Sequence, residues 1–136
     1  MNWMYKGEPM LEMPTNCIGF VYLITDHKNN MLYVGKKLAI TTRKLPPLKG
    51  KKNKRHKRID TDWQTYWGSS DKLTAQRVLD GAQHFSREIL HLCANKNTMS
   101  YLECKEQFDR NVLMDDQYYN GIIHCRVSAR GLDGII

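Results

Sequence analysis

Gly19-Phe20-Val21-Tyr22-Leu23-Ile24 and Leu32-Tyr33-Val34-Gly35-Lys36-Lys37 decide the fold. Both runs are rich in β-branched and aromatic residues, and Asp26-His27-Lys28-Asn29-Asn30 between them consists of residues that accept turn conformations. Together they predict an antiparallel hairpin with one tyrosine on each strand. Side chains alternate faces along a strand, so Tyr22 and Tyr33 share a face only if the turn holds an even number of residues. A five-residue turn would split them.

Downstream of the hairpin the charge becomes one-sided. The chain has a net charge of +7, and between Lys36 and Arg58 it carries eleven Lys or Arg and no acid, which leaves the remainder net negative. Lys36 to Lys44 predicts a short helix that Pro46-Pro47 would end. The basic insertion that follows, 44–59, can bury nothing and repels itself, so a polyanion is its natural partner. Lys36, Lys44, Lys51, Lys52, Lys54, Arg55, Lys57 and Arg58 are the expected phosphate contacts.

Asp62-Trp63-Gln64-Thr65-Tyr66-Trp67-Gly68 marks the return to packed structure, and Ser69-Ser70-Asp71 supplies the cap of a helix over 71–80 that stops at Gly81. A third strand is expected over 84–92. The longest helix is expected over 99–113, capped by Thr98 or Ser100, with Tyr101, Cys104, Phe108 and Val112 on one stripe and Glu103, Gln107 and Arg110 on another side. Residues 1–17 read as an arm anchored by Trp3 and Tyr5, and 127–136 as a loose tail.

With 136 residues, 41% of them hydrophobic, the chain suits one domain, here 18–126, around one core. The fold class is α/β in the α+β sense: a central three-stranded antiparallel sheet flanked by helices, with the basic insertion after the second strand. No apolar run approaches the ~20 residues that span a bilayer, and there is no secretory h-region, so a cytoplasmic protein with no membrane partner is expected. Cys17, Cys93, Cys104 and Cys125 form no paired motif, and His124-Cys125 has no matching ligand pair, so reduced thiols are expected in place of a zinc site.

Five blocks in this order resemble the GIY-YIG endonuclease family, and in particular its phage-encoded, free-standing, homing-type branch. They are Phe20-Val21-Tyr22 with Tyr33-Val34-Gly35-Lys36-Lys37, Asp62 to Ser70, Phe85-Ser86-Arg87-Glu88-Ile89-Leu90, Tyr101-Leu102-Glu103, and Tyr118-Tyr119-Asn120. Phe20 stands where the family has its first glycine. The resemblance implies hydrolysis of DNA phosphodiester bonds with Tyr22, Tyr33, Lys37, Arg43, Glu103 and Asn120 in the active site. It also implies one Mg²⁺ or Mn²⁺ ion on Glu103, and Ser69 and Ser70 near phosphate. In that scheme one phenol positions or deprotonates water while the other orients the phosphate. A base role would need Lys36, Lys37 or Arg43 beside the phenols, because a free phenol titrates near about 10.

Two readings of Glu103 stand side by side. If Ser100 caps the helix, Ser100-Tyr101-Leu102-Glu103 is a capping box and the carboxylate bonds a backbone N–H; if the cap lies earlier, it is free to hold a metal, with Glu106 as the other candidate ligand. The alternative function is a non-catalytic nucleic-acid-binding module that uses the same basic surface, and a weaker one is a protein that docks on structured RNA. Tyr22, Tyr33 and Glu103 together separate catalysis from binding, since a carboxylate beside a phosphate repels it unless a cation lies between them.

Overall fold

The computed structural model describes residues 1–136. Strands β1 (Met4–Tyr5), β2 (Glu8–Pro9), β3 (Gly19–Asp26), β4 (Met31–Leu38) and β7 (Phe85–Cys93) form one mixed sheet in the order β2-β1-β7-β3-β4. The three long strands β7, β3 and β4 are antiparallel, as expected. The sheet is five-stranded where three strands were expected, because the arm adds β1, parallel to β7, and β2 beyond it. Two-residue strands are too short to leave a periodic signal. Trp3, at the start of the arm, is buried among Phe20, Tyr22 and Trp63.

The hairpin turn contains four residues, since Asp26 pairs with Met31. The Asp26 carboxylate accepts the backbone N–H groups of Lys28 and Asn29, and Asn30 adopts the left-handed conformation that closes the turn. An even turn puts Tyr22, opposite Gly35, and Tyr33, opposite Ile24, on the same face. The other face carries Val21 and Val34.

Each face has its own core. Phe20, Tyr22 and Ile24 pack with Trp3, Trp63, Leu73, Phe85 and Ile89, while Val21, Val34 and Cys93 pack with Met99, Leu102 and Val112. Leu73 belongs to helix α1 (Asp71–Asp80), capped by the Ser70 hydroxyl on the Leu73 N–H and ended at Gly81. Met99 and Leu102 belong to helix α2 (Lys96–Asp109), which lies across the second face. Its cap is Asn95, whose side chain accepts the Thr98 N–H, so neither Thr98 nor Ser100 caps it. Packing against the second face of the sheet selects the buried stripe: Tyr101 and Phe108 are exposed and Thr98, Met99, Leu102, Cys104 and Gln107 are inside.

The insertion differs most from expectation. Instead of a short helix and an open loop, Ile40–Leu45 (β5) and Arg55–Asp60 (β6) form a separate two-stranded antiparallel ribbon. Ile40-Thr41-Thr42 is a β-branched run, and its preference prevails over the prolines, which fall in the turn at the ribbon's far end.

Arg87 is buried in β7 with no acidic partner. Its guanidinium lies 4.7 Å from the Trp3 ring and 4.3 Å from the Trp67 ring and donates to the carbonyls of Met1, Gln64 and Tyr66. The tail docks where a loose segment was expected: the Ala94 N–H donates to Gly134, and the Thr98 hydroxyl donates to Gly131. All four cysteines are free, and Cys125 alone is exposed. No helix is long and apolar enough to cross a membrane.

Candidate active site

The site forms at the open edge of β4. Residues 117–120 run beside that edge, with Leu32 N–H donating to Gln117 and Tyr119 N–H donating to Leu32. At Val34 the Asn120 side chain replaces the main chain as partner: its Oδ1 accepts the Val34 N–H at 3.1 Å and its Nδ2 donates to the Val34 carbonyl at 2.8 Å. Beyond Val34 the segment leaves the strand, and a cavity of about 400 Å³ opens there. Tyr22, Tyr33, Lys36, Glu103, Gln107 and Asn120 all line it.

Tyr22 reaches the edge because Gly35 has no side chain. A Cβ at Gly35 would overlap the Tyr22 hydroxyl and ring, and one at Gly68, whose φ is +90°, would meet the same hydroxyl at 3.3 Å. The phenol therefore lies in a slot between two glycines, with Tyr33 at 6.2 Å and Tyr66 at 6.1 Å between ring centroids. Burial raises the Tyr22 pKa well above the ordinary phenol value, and the neighbouring phenols Tyr66 and Tyr33 raise it further. Burial raises Tyr33 as well, although its hydroxyl lies 3.3 Å from that of Ser69. Both phenols are protonated hydrogen-bond donors at neutral pH.

Glu103 lies two turns into α2, clear of the cap, so the capping-box alternative does not apply. Burial raises its carboxyl pKa, opposed by Lys36, whose ammonium is 3.8 Å away and also donates to Ser100 at 2.8 Å, and by His124. One turn further on, Gln107 donates to the Val34 carbonyl at 3.1 Å, and its buried Oε1 has no partner. A half-desolvated carboxylate and an orphaned amide oxygen on one cavity wall are hard oxygen donors that fit a single Mg²⁺ or Mn²⁺ ion keeping most of its water. No cluster of three or more His, Cys, Asp or Glu exists that would suit a fully protein-ligated metal.

Other expected residues lie elsewhere. Arg43 is exposed on β5 opposite Lys57, because the chain continues into the ribbon instead of turning back over the phenols. Lys37 shares the face of Tyr22 but pairs with Asp62 at 2.7 Å and lies 4.2 Å from the Tyr66 ring. Glu106 is held by His91 and Arg110, each at 2.8 Å, and does not line the cavity. Ser69 and Ser70 line it at the N-terminus of α1, while Lys44, Lys51, Lys52, Lys54, Arg55, Lys57 and Arg58 belong to the ribbon and its tip.

The family model described as "Putative endonuclease segE, GIY-YIG domain" matches residues 3–123. The chain belongs to the GIY-YIG endonuclease family. That family is one of phosphodiester-hydrolysing nucleases, so this GIY-YIG chain is a nuclease by descent, with DNA as the implied substrate. No curated protein and no solved structure matches it. The phenol pair, Lys36, Glu103 and Asn120 of this GIY-YIG domain converge on one cavity. His124 and Gln107 also line it and were not singled out from the sequence. The four-residue spacing of Gln107 from Glu103 was the available signal for the second.

Proposed function

We propose that this protein is a metal-dependent DNA endonuclease of the phage homing type, and that the cavity at the β4 edge is where it hydrolyses the phosphodiester bond. One observation carries the reading: two phenols, a lysine and a half-buried carboxylate, from two strands and a helix, face a single opening. A scissile phosphate would sit against Lys36, the sole Lys or Arg lining the cavity, and against the N-terminus of α1, where Ser69 and the helix dipole favour an anion. The Tyr33 phenol would donate to a non-bridging oxygen. The Tyr22 phenol, fixed between two glycines, would orient the attacking water.

Glu103 would hold one Mg²⁺ or Mn²⁺ ion, with the Gln107 amide oxygen beside it. When bound, that ion supplies the positive charge that stabilises the leaving 3′ oxygen. Hydrolysis consumes one water and breaks the P–O3′ bond, leaving a 5′ phosphate and a 3′ hydroxyl. Arg43 has no role in this step.

The test is cleavage of a supercoiled plasmid by the full chain with Mg²⁺ and with EDTA, beside Glu103→Gln and Glu106→Gln. Cleavage is expected with Mg²⁺ only, reduced by about 10²-fold or more in Glu103→Gln, the scale for loss of a preorganised electrostatic group, and retained in Glu106→Gln. Full activity in Glu103→Gln would overturn the assignment of the ion. Duplex binding without cleavage under any divalent condition would favour the binding-module reading.

A further inference from the structure

The β5–β6 ribbon projects basic groups from both of its faces. Cross-strand partners share a face, so Thr42 with Arg58 and Lys44 with His56 lie on one side, while Arg43 with Lys57 and Leu45 with Arg55 lie on the other. Neither side is covered by the body: all six residues of β6 are exposed, as are Thr41 to Lys44 of β5. A patch that merely rests on a phosphate backbone needs cations on one face.

The arrangement is also costly in isolation. Arg43 stands directly opposite Lys57, and like charges in that position destabilise a strand pair. A lone two-stranded ribbon is at best marginally stable. Only its base is tied to the body, where the Thr61 N–H and hydroxyl donate to the Ala39 and Leu38 carbonyls and Arg58 donates to the Thr15 carbonyl. An acidic surface on both sides at once would relieve the repulsion.

We propose that the ribbon inserts into the major groove of duplex DNA, with its two basic faces meeting the phosphate walls on either side. The major groove is about 12 Å wide and admits a two-stranded ribbon in undistorted duplex, whereas the minor groove, about 6 Å wide, takes one only when the duplex is bent or opened. β5 follows β4 after one residue, so the ribbon is a continuation of the strand that carries Tyr33 and Gly35. Arg43 lies eight positions beyond Gly35 along the chain. At ~3.3 Å per residue the contacts made by Arg43 lie within ~26 Å of the cavity, or ~8 base pairs. The ribbon is thus a ruler between the groove it enters and the phosphate that is cut. This inference rests on the nuclease reading and adds to it the groove, the two-sided contact and the offset.

The test uses the full chain in EDTA and one A·T-rich duplex of about 20 base pairs in three forms: unmodified, with bulky C5 substituents on its thymines that fill the major groove, and saturated with netropsin in the minor groove. Anisotropy should show binding at least about ten-fold weaker to the C5-substituted form and little changed with netropsin, because the C5 position projects only into the major groove. Arg43→Ala with Lys57→Ala, and separately Lys44→Ala with His56→Ala, should each weaken binding, and each lost phosphate contact should reduce the salt slope by about 0.9. Melting temperatures should hold or rise as the like charges are removed.

Equal affinity for the unmodified and C5-substituted duplexes would overturn the insertion, and so would a silent pair of substitutions on either face, which would mean that the ribbon lies flat. In both cases Mg²⁺-dependent plasmid cleavage would persist and the nuclease reading would stand. No binding to any of the duplexes and no plasmid cleavage would overturn both.

Discussion

Tyr22 lies across the bare backbone of Gly35, its register partner on the neighbouring strand, and through that gap its hydroxyl enters the cavity at the sheet edge. The two residues work as one unit. Gly35→Ala should force the phenol off its position. Overpacking of this kind typically costs about 1–3 kcal/mol, which denaturant unfolding would register. Displacement by about 1 Å near reacting atoms costs about 10²-fold in rate. Duplex affinity in EDTA should stay within a few-fold of the parent, so that single-turnover cleavage and anisotropy together separate misplacement from lost binding.

Glu103 ties stability to pH with a definite sign. Its folded-state carboxyl pKa is raised, chiefly by burial, so the folded protein holds the proton more tightly than the unfolded chain does. Its ionisation therefore subtracts stability above the folded pKa, and the penalty fades as pH falls through that value. In the metal-free protein, Glu103→Gln should raise the melting temperature at neutral pH, with the gain shrinking toward acid. Mg²⁺ should raise the melting temperature of the parent and not of the variant. A variant that melts lower than the parent at pH 7 would contradict this account.

Asp80 works in the opposite direction. Hydrogen bonds from Gln76, Lys28 and Asn29 hold its carboxyl pKa down to about 2, and they join α1 to the hairpin turn. With a depressed folded pKa, the contribution is complete above the unfolded value of about 3.9 and is lost as pH falls toward about 2. Asp80→Asn should flatten the acid limb of a stability profile recorded between pH 5 and pH 2. It should leave the neutral cleavage rate close to that of the parent.

Asn120 makes a side-chain imitation of strand pairing at Val34, and its loss should be structural before it is chemical. Asn120→Ala leaves the buried Val34 N–H without its acceptor, a deficit worth about 1–3 kcal/mol. Asn120→Asp keeps the acceptor and loses the donor to the Val34 carbonyl, which Gln107 still serves, so it should unfold at a higher denaturant concentration than Asn120→Ala. Equal midpoints for the two variants would mean that the amide pairing contributes little.

The hairpin, α1, β7 and the body of α2 were legible because each has a strong local signal: β-branched runs with an Asp/Asn turn, Ser70 before Gly81, and an amphipathic stretch near Glu103. What was not legible depended on competition between signals. Thr98 and Ser100 obscured Asn95 as the cap of α2, and helical spacing alone left open which side faces the sheet, so Cys104 and Val112 of the expected stripe are buried while Tyr101 and Phe108 are exposed. Prolines and lysines masked the strand preference of Ile40-Thr41-Thr42, and with it the departure of Arg43 from the site. Glu103 and Asn120 were singled out through family likeness, and the helical spacing already set Gln107 beside Glu103 without giving it a role; His124 reaches the cavity only through tertiary packing, which no local pattern encodes.

Arg87 has a practical consequence for studying this nuclease. Its buried charge is met by three carbonyls and two indoles, with Nε left unpartnered and no carboxylate among the contacts, so there is no ion pair there for salt to screen. The same residue ties down the segment leading to Gly68, one wall of the Tyr22 slot. Ionic strength can therefore be varied over a wide range as a probe of DNA contact while this mooring holds. A fall in duplex affinity with added salt, read in EDTA, then reports on phosphate contacts of the ribbon and of Lys36 rather than on the loss of this mooring.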